Sequence, residues 1–210
     1  MNDQDRKLIG DIKRSVIMQA ALQEFAQQGY EKASTNQITQ KAGVSKGLLF
    51  HYFGSKKQLY LDTLDMCIDH FLICMDEKLD SISKDIFQRI IDVNLIKLEM
   101  LTSEPVMQQI VTQAFLDPPE EVKSEIQTRQ ERIEKQYLPY LTNEIDTRSF
   151  RKDIESYRLV NYIVMVVNSL GDKYIQAYKA ANCQYPEVLQ DFIVELEEYL
   201  DLIKYGVCEQ

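Results

Sequence analysis

The chain has 210 residues, of which 45% are hydrophobic and 27% are charged, with few glycines and prolines. This composition is typical of a globular protein, and the length is sufficient for one large domain or two modest ones. No apolar run approaches the roughly eighteen residues that a membrane span requires, and the polar N-terminal segment lacks the apolar core of a secretory signal. We therefore expect a cytoplasmic protein that has no membrane partner.

The net charge of −9 is distributed unevenly along the chain. Residues 1–60 hold nine basic and five acidic residues, a balance of +4, which leaves −13 for the remainder. A basic segment attached to an acidic body is typical of a protein that meets nucleic-acid phosphates with one end. An acidic surface that only keeps a helical protein soluble is the plainer interpretation, and the two are compatible.

Helical periodicity dominates the sequence, and the alternation typical of strands is absent over any useful length, so the fold class is predicted to be all-α. The first helix is predicted over about 7–28, and Gly29 ends it. Its apolar residues recur at spacings of three and four, which predicts one buried face.

A helical hairpin follows over residues 34–52. Ser34 and Gln37 predict a capping box at the start of its first helix, Gly43 supplies the turn, and Ser45 caps its second helix. Two short helices with this spacing predict a helix-turn-helix unit, although a purely structural hairpin has the same pattern. The inward-facing residues predict a three-helix core of Ile17, Ala21, Phe25, Ile38, Ala42, Val44, Leu49 and Phe53.

Ser55 and Gln58 predict a second capping box, which opens a long helix over about 56–79. The apolar stripe of this helix makes it the predicted link between a head, residues 1–54, and a larger body, residues 55–210. The head is predicted to bind DNA and the body to bind a ligand and to dimerise.

The body is predicted to contain five further helices. They cover about 85–101, 105–116, a heavily charged stretch from Asp117 that Pro139 interrupts, 157–178 and 186–205. The helix over 157–178 is apolar nearly all round, so it must be covered on more than one side. A two-fold contact that pairs the last two helices of two subunits would cover it, and intrachain packing is the alternative. The residues predicted for this dimer contact are Ile163, Val167, Leu170, Tyr174, Leu189, Phe192, Ile193, Leu196 and Leu200.

Residues 16–60 resemble the N-terminal domain of the TetR family of bacterial transcriptional regulators. The resemblance is carried by AAxxxFxxxGY ending at Tyr30, by IxxxAGVSxG over residues 38–47, and by the FxxF and SKxxL motifs that follow. It covers about a fifth of the chain, and the combined spacing is highly specific. The remaining 150 or so residues carry no comparable match.

The resemblance implies an all-helical homodimer that represses transcription by binding a palindromic DNA operator and releases it when a small molecule binds the body. Lys46 and Gly47 are then expected at base edges, Leu48 and Phe50 against thymine methyls, and Ser34, Thr35, Tyr52 and Lys56 at phosphates. The full set of expected DNA contacts is Ser34, Thr35, Ser45, Lys46, Gly47, Leu48, Phe50, His51, Tyr52 and Lys56. The family usually has Tyr where this chain has Phe50, so one phosphate contact is expected to pass to His51 or Tyr52.

The effector is predicted to be small and largely apolar, because methionine and aromatic side chains adapt to such molecules. The candidate ligand-binding residues in the body are Phe71, Met75, Met100, Met107, Phe115, Tyr137, Tyr140, Tyr162 and Met165. Each is also an ordinary core residue in a structural interpretation.

No motif for an enzyme, a cofactor or a phosphate loop occurs, so the chain is predicted not to be an enzyme and to need no cofactor or metal. Cys67, His70 and Cys74 lie along one edge of the long helix, which makes a thiol- or metal-sensing regulator the alternative. The four cysteines, which include Cys183 and Cys208, contain no CxxC pair and are predicted to be free thiols. A helical ligand carrier or interaction protein without DNA binding is the alternative from another class.

Overall fold

The computed structural model describes residues 3–180 and 185–208 and is built from α-helices. The helices are α1 Asp3–Lys32, α2 Thr35–Ala42, α3 Lys46–Phe53, α4 Lys56–Lys78, α5 Ile86–Ser103, α6 Pro105–Leu116, α7 Lys123–Thr142, α8 Ser156–Ala180 and α9 Tyr185–Val207. Single turns of 3-10 helix cover Leu79–Ser81 and Glu120–Val122. Over these ranges the extended structure amounts to one isolated antiparallel bridge, between Phe150 and Cys208. The all-α prediction is confirmed.

Several predicted helix boundaries differ from the structure. The helix predicted to open at Asp117 begins with the 3-10 turn at Glu120 and continues as α7 from Lys123. The first helix starts earlier than expected, at Asp3, and it continues to Lys32 across Gly29, whose φ of 69° and ψ of 171° mark a kink. Pro139 lies inside α7, so the predicted interruption there is wrong. A proline removes one backbone donor, and the helix nevertheless continues past it to Thr142, with Tyr140 and Leu141 buried.

The chain forms two compact units that do not coincide with the predicted division at residue 54. The first unit contains the residues up to Leu72 together with Glu104–Arg129, and the second contains Ile73–Ser103 and the residues from Gln130 onward. The chain therefore passes between units three times, within α4, between α5 and α6, and within α7.

The first unit is built on α1, which packs against α2, α3 and α6. Of the predicted core residues, Ala42 and Val44 are half-buried, and the others are buried. Phe25, Tyr30 and Tyr60 extend this core as an aromatic cluster, in which the ring of Tyr60 lies 5.0 Å from that of Phe25 and 4.9 Å from that of Tyr30, centroid to centroid.

Ion pairs join α4 to the start of α7 within the first unit. The Lys57 ammonium lies 2.6 Å from a Glu125 carboxylate oxygen and donates to the Glu121 carbonyl at 2.8 Å. The Arg129 guanidinium donates to both carboxylate oxygens of Asp65. These contacts add a polar attachment to the apolar packing of the unit.

In the second unit, α9 packs against both α5 and α8. The Arg89 side chain is buried and donates to the carbonyls of Tyr140 and Asn143, at 3.2 and 2.5 Å, and to that of Ser83 at 2.6 Å. A cation at the C-terminus of α7 satisfies carbonyls that the helix leaves unpaired and opposes the negative end of its dipole.

The residues predicted to form a dimer contact pack inside a single chain. Tyr174 is half-buried, its ring lies 5.5 Å from that of Phe192, and its hydroxyl donates to Glu195 at 2.6 Å. The other eight, which are Ile163, Val167, Leu170, Leu189, Phe192, Ile193, Leu196 and Leu200, are buried. The apolar faces of α8 and α9 thus supply intrachain core, which is the alternative that the sequence left open.

Candidate DNA-binding interface

The helix-turn-helix unit is formed by α2 and α3, as predicted. Gly43 ends α2 in the left-handed conformation, with φ 64° and ψ 32°, and its N–H donates to the Gln40 carbonyl at 3.3 Å. Ser45 caps α3 by accepting a hydrogen bond at its Oγ from the Leu48 N–H at 3.2 Å. Both devices that the sequence predicted for this turn are therefore present.

The predicted capping box at Ser34 is not formed, because the Ser34 side chain makes no cap hydrogen bond. A buried carboxylate replaces it. Glu24 accepts from the Ser34 backbone N–H at 3.1 Å and from the Lys41 ammonium at 3.0 Å, so it ties α1 to both ends of α2. Burial raises the pKa of Glu24, but the hydrogen bonds from Lys41 and Ser34 outweigh it, and the pKa lies below its ordinary value.

The recognition helix α3 has one buried face and one open face. Leu49 and Phe53 are buried against the rest of the head. Lys46, Gly47 and His51 are exposed. The other predicted contacts on this helix, Leu48, Phe50 and Tyr52, are half-buried. At Gly47 there is open space, because a Cβ placed on it would meet no atom within 4 Å. The first turn of α3 is thus exposed to solvent, and a ligand can reach its backbone at Gly47.

The predicted phosphate contacts outside α3 lie at the ends of neighbouring helices. Ser34 and Thr35, at the start of α2, are half-buried, and Ser45 is exposed. Lys56 begins α4, but its ammonium already donates to the Glu31 carbonyl at 3.0 Å and lies 4.9 Å from the centre of the Tyr30 ring. A phosphate contact by Lys56 therefore competes with a contact to the end of α1.

The N-terminal half of α1 also lies next to α3, which sequence reasoning did not predict. The N-terminal half of α1 runs beside the end of α3, where a Cβ built on Gly10 would lie 3.4 Å from the Tyr52 hydroxyl oxygen. The Arg14 guanidinium stacks 5.3 Å from the centre of the Phe53 ring and pairs with Asp62 at 3.1 Å. The sequence feature that could have indicated this contact is Gly10, which has Lys7 three residues before it and Arg14 four residues after it.

The predicted ligand-binding residues fall into both units. Phe71, Met107 and Phe115 belong to the first unit and are half-buried. The second unit holds six. Met75, Met100 and Tyr140 are buried, Tyr137 is half-buried, and Tyr162 and Met165 are exposed on α8. The structure brings Tyr137 and Tyr140 together, with ring centres 6.5 Å apart.

Two polar contacts fix these tyrosines in the second unit. The Tyr140 hydroxyl donates to Asp76, and burial together with this carboxylate raises the pKa of Tyr140 to about 12. The Lys97 ammonium lies 3.9 Å from the centre of the Tyr137 ring.

Two open cavities lie in the second unit. One, of about 620 Å³, runs between α8 and α9 beside Tyr162, Tyr199 and Leu202. The other, of about 500 Å³, lies between α5 and α9 and has Leu95 and Leu98 in its wall, with Glu99 and Glu187 at its edge. Of the predicted ligand-binding residues, Tyr162 is the member that lines one of these two cavities.

Cys67, His70 and Cys74 are the candidate residues for a metal or thiol sensor. No group of three or more His, Cys, Asp or Glu side chains within residues 3–180 and 185–208 is placed to hold a metal ion. Cys67 is buried, which raises the pKa of its thiol to about 12, whereas Cys74 and Cys208 are half-buried. The prediction for Cys183 lies outside the described residues. None of the described helices is both long enough and apolar enough to cross a bilayer.

The head matches a family model. Residues 17–63 match the model described as bacterial regulatory proteins, tetR family. The activator FasR of Mycolicibacterium smegmatis is 35% identical over 71 residues, which cover 34% of this chain and 32% of FasR. The regulator RutR of Escherichia coli K12 is 42% identical over 60 residues, which cover 29% of this chain and 28% of RutR. The chain thus spans about a third of the length of these relatives.

A solved structure extends the likeness of fold beyond the head. FadR from Bacillus subtilis, a transcriptional regulator solved in complex with stearoyl-CoA, superposes with a TM-score of 0.60 over 91% of this chain and 98% of that chain, at 17% identity. The helical succession of the body is therefore also that of a known regulator fold. The head thus matches the tetR-family model over residues 17–63, and the chain shares its fold with a solved transcriptional regulator.

Proposed function

We propose that this protein is a transcriptional regulator that binds a palindromic DNA operator as a homodimer and releases it when a small, largely apolar molecule binds its body. The observation that carries the proposal is the presentation of α3. Gly43, in the left-handed conformation, and the capping residue Ser45 set the start of α3. The first turn of α3 is exposed, and Leu49 and Phe53 on its other face are buried in the core. This is the arrangement that places a recognition helix in the major groove.

Within that helix, Lys46 and Gly47 are the proposed base-reading residues. The Lys46 ammonium is expected to donate to guanine O6 or N7, and the open surroundings of Gly47 let the backbone approach the groove. The apolar side chains of Leu48 and Phe50 are the proposed partners of thymine methyl groups.

Phosphate contacts are proposed for Ser34, Thr35, Tyr52 and Lys56. Phe50 has no hydroxyl, so the contact that a tyrosine would make there passes to His51 and Tyr52, whose rings stand edge to face, 5.5 Å apart. Ser45 contributes through the cap that orients the first turn of α3.

The proposed dimer contact uses the outward residues of α8 and α9. Met165 and Tyr162 on α8 are 60% and 46% exposed, and Leu202, Val194 and Tyr205 on α9 are 71%, 58% and 77% exposed. A cluster of large exposed apolar side chains on two neighbouring helices is typical of a surface that another protein covers. Two subunits joined there would present two α3 helices to half-sites about 34 Å apart, one turn of DNA.

The proposed effector is apolar because the body offers it methionine and aromatic side chains. Met75, Met100, Tyr137 and Tyr140 are the proposed contacts, and all four belong to the second unit. The complex of Bacillus subtilis FadR with stearoyl-CoA supports the class of ligand, because a protein of this fold holds a molecule with a long acyl chain. In our proposal the ligand prefers a state that fits the operator poorly, so it shifts the population away from DNA. The protein would act in the cytoplasm, where the bacterial chromosome lies.

The test is DNA binding by the full chain, measured by fluorescence anisotropy on duplexes selected by the protein from a random pool. We expect a selected palindrome and, for Lys46→Ala, a fall in the preference for it over a scrambled duplex, equivalent to about 1–3 kcal/mol. Lys152→Ala, an equal loss of charge in the loop before α8, serves as the control. Failure of the pool to converge on any sequence would contradict the proposal and favour a ligand carrier that does not bind DNA.

A further inference from the structure

Lys97 lies on the side of α5 that faces the core of the second unit. Val93, four residues before it, and Met100, three residues after it, are both buried. Residues at these spacings share one side of a helix, and Lys97 itself is half-buried. A lysine at such a position brings its charge close to apolar side chains, which costs free energy unless an opposite charge compensates it.

The Lys97 ammonium contacts an aromatic ring instead of a carboxylate. It lies 3.9 Å from the centre of the Tyr137 ring on α7. Within residues 3–180 and 185–208, no carboxylate lies within ion-pair distance of it. The face of a ring attracts a cation but has no net negative charge, so the charge of Lys97 is not neutralised.

The charged side chains nearby are already paired. Lys78 at the end of α4 forms an ion pair with Glu99 on α5, and Asp76 accepts a hydrogen bond from the Tyr140 hydroxyl. Glu99 follows Lys97 by two residues, so the two side chains leave α5 on different sides. These contacts attach α4, α5 and α7 to one another, and Lys97 takes part in none of them.

Side chains that are proposed effector contacts surround this charge. Met100 shares the side of α5 that carries Lys97, and Tyr137 contacts the ammonium. The Tyr140 ring comes next, with its centre 6.5 Å from that of Tyr137. An apolar and aromatic surface beside one cation that is not neutralised complements a molecule that is apolar along its length and anionic at one end.

We propose that Lys97 anchors the effector, and that the effector is an apolar molecule with a carboxylate at one end. The inference rests on the proposed function, because it takes Met100, Tyr137 and Tyr140 to be effector contacts. In the complex the Lys97 ammonium donates to the carboxylate, and the remainder of the molecule packs on these three side chains. Hydrogen bonds between charged groups are stronger than neutral ones, and partial burial strengthens them further. Lys97 therefore makes the site select an acid over the alcohol of the same carbon skeleton.

The test measures binding of straight-chain and arylalkyl carboxylic acids, each beside its matched alcohol, to the full chain by isothermal titration calorimetry at neutral pH. Lys97→Met and Lys97→Gln remove the charge and keep a flexible side chain, whereas Lys97→Arg keeps the charge. Lys204→Met is the matched control, because the Lys204 ammonium also lies over a ring of the second unit, 5.7 Å from the centre of Phe87.

We expect the wild-type protein to bind at least one acid roughly tenfold to a hundredfold more tightly than its alcohol. Lys97→Met and Lys97→Gln should lose this preference while their affinity for the alcohol stays unchanged. Lys97→Arg should retain most of the preference, and Lys204→Met should match the wild type. Urea denaturation without ligand should show Lys97→Met to be at least as stable as the wild type, because it removes a charge that is not neutralised.

Three results would overturn the inference: no binding of any acid, equal binding of acids and alcohols, or an acid preference that survives the loss of the Lys97 charge. In each case, selection of a palindromic duplex by the wild-type protein would leave the proposed function standing. Failure to select any duplex would reject the proposed function instead. The preference for acids is measured without DNA, so the two failures are distinguishable.

Discussion

The Arg129 guanidinium donates two hydrogen bonds to the Asp65 carboxylate, from Nε to Oδ1 at 2.8 Å and from Nη2 to Oδ2 at 2.5 Å. The pair joins α7 to α4, the helix that directly follows the recognition helix, and it lies partly sheltered from solvent. Arg129 also donates to the Glu125 carbonyl, and Glu125 itself pairs with Lys57. One short network therefore attaches the start of α7 to α4 at two points.

Replacing Arg129 by lysine is expected to weaken this attachment, because a lysine ammonium cannot reproduce the paired geometry of the guanidinium. We expect a loss of about 1 kcal/mol in the free energy of unfolding, measured by urea denaturation. Arg158→Lys, in an exposed pair with Glu155, is the matched control and should change stability by less than about 0.5 kcal/mol. Equal effects of the two changes would show that the double hydrogen bond adds nothing.

The buried carboxylate of Glu24 predicts a pH-dependent contribution to stability. Its pKa is lower in the folded protein than the ordinary value of 4.5, so its stabilising contribution is fully present above pH 4.5 and is lost as pH falls through the folded pKa. We expect Glu24→Gln to cost about 1–3 kcal/mol at pH 7, and the difference from wild type to shrink as the pH is lowered below 4.5. Urea denaturation at several pH values measures this. The exposed Glu197→Gln should have little effect at any pH, and a Glu24→Gln penalty that persists unchanged in acid would contradict the assignment.

Two helical glycines form a matched pair for the DNA interface. A Cβ at Gly10 would make an ordinary contact, 3.4 Å from the Tyr52 hydroxyl, and one at Gly47 would meet nothing within the chain. Alanine at Gly10 should therefore stabilise the protein by about 0.5–1 kcal/mol without loss of DNA binding, because glycine disfavours a helix interior. Alanine at Gly47 should leave the fold intact and reduce DNA affinity by roughly tenfold, a change of about 1.4 kcal/mol. Wild-type affinity in Gly47→Ala would remove this residue from the proposed interface.

The proposed dimer surface is tested at Leu202, which is 71% exposed in the single chain. Glutamate at this position should leave folding unaffected and raise the dimer dissociation constant by roughly a hundredfold, because a charge would be buried against apolar partners. Sedimentation velocity over a range of concentrations measures the constant. Leu138→Glu, at a 49% exposed position on α7, is the control and should sediment as the wild type does. Identical sedimentation of the two variants would place the dimer contact elsewhere.

Sequence reasoning succeeded where local chemistry decides the structure. The turn at Gly43, the cap at Ser45 and the bounds of α6 at Pro105 and Leu116 depend on a few neighbouring residues whose preferences are strong. The buried positions of Leu49 and Phe53 follow equally from spacing within one short helix.

It failed where distant packing decides. The cap expected of Ser34 was taken over by Glu24, ten residues earlier, which no local pattern indicates. On α8, apolar residues occur nearly all round, so periodicity could not tell which side meets α9, and residues such as Ile163 and Leu170 became intrachain core. The close approach of Gly10 to the Tyr52 hydroxyl was also missed, because it brings together α1 and α3, two helices that lie far apart in sequence.

The two compact units are interleaved along the sequence, which limits where the chain can be divided into fragments. Because the first unit draws on residues up to Leu72 and again on Glu104–Arg129, no continuous fragment of the chain reproduces it without also carrying α5. A fragment cut at residue 54 would lose Tyr60 from the aromatic cluster and the α6 surface against which α1 packs. To change the operator specificity of this protein, we therefore expect that surface residues of α3 must be substituted within the intact chain. Replacing the whole head, residues 1–54, would disrupt the first unit.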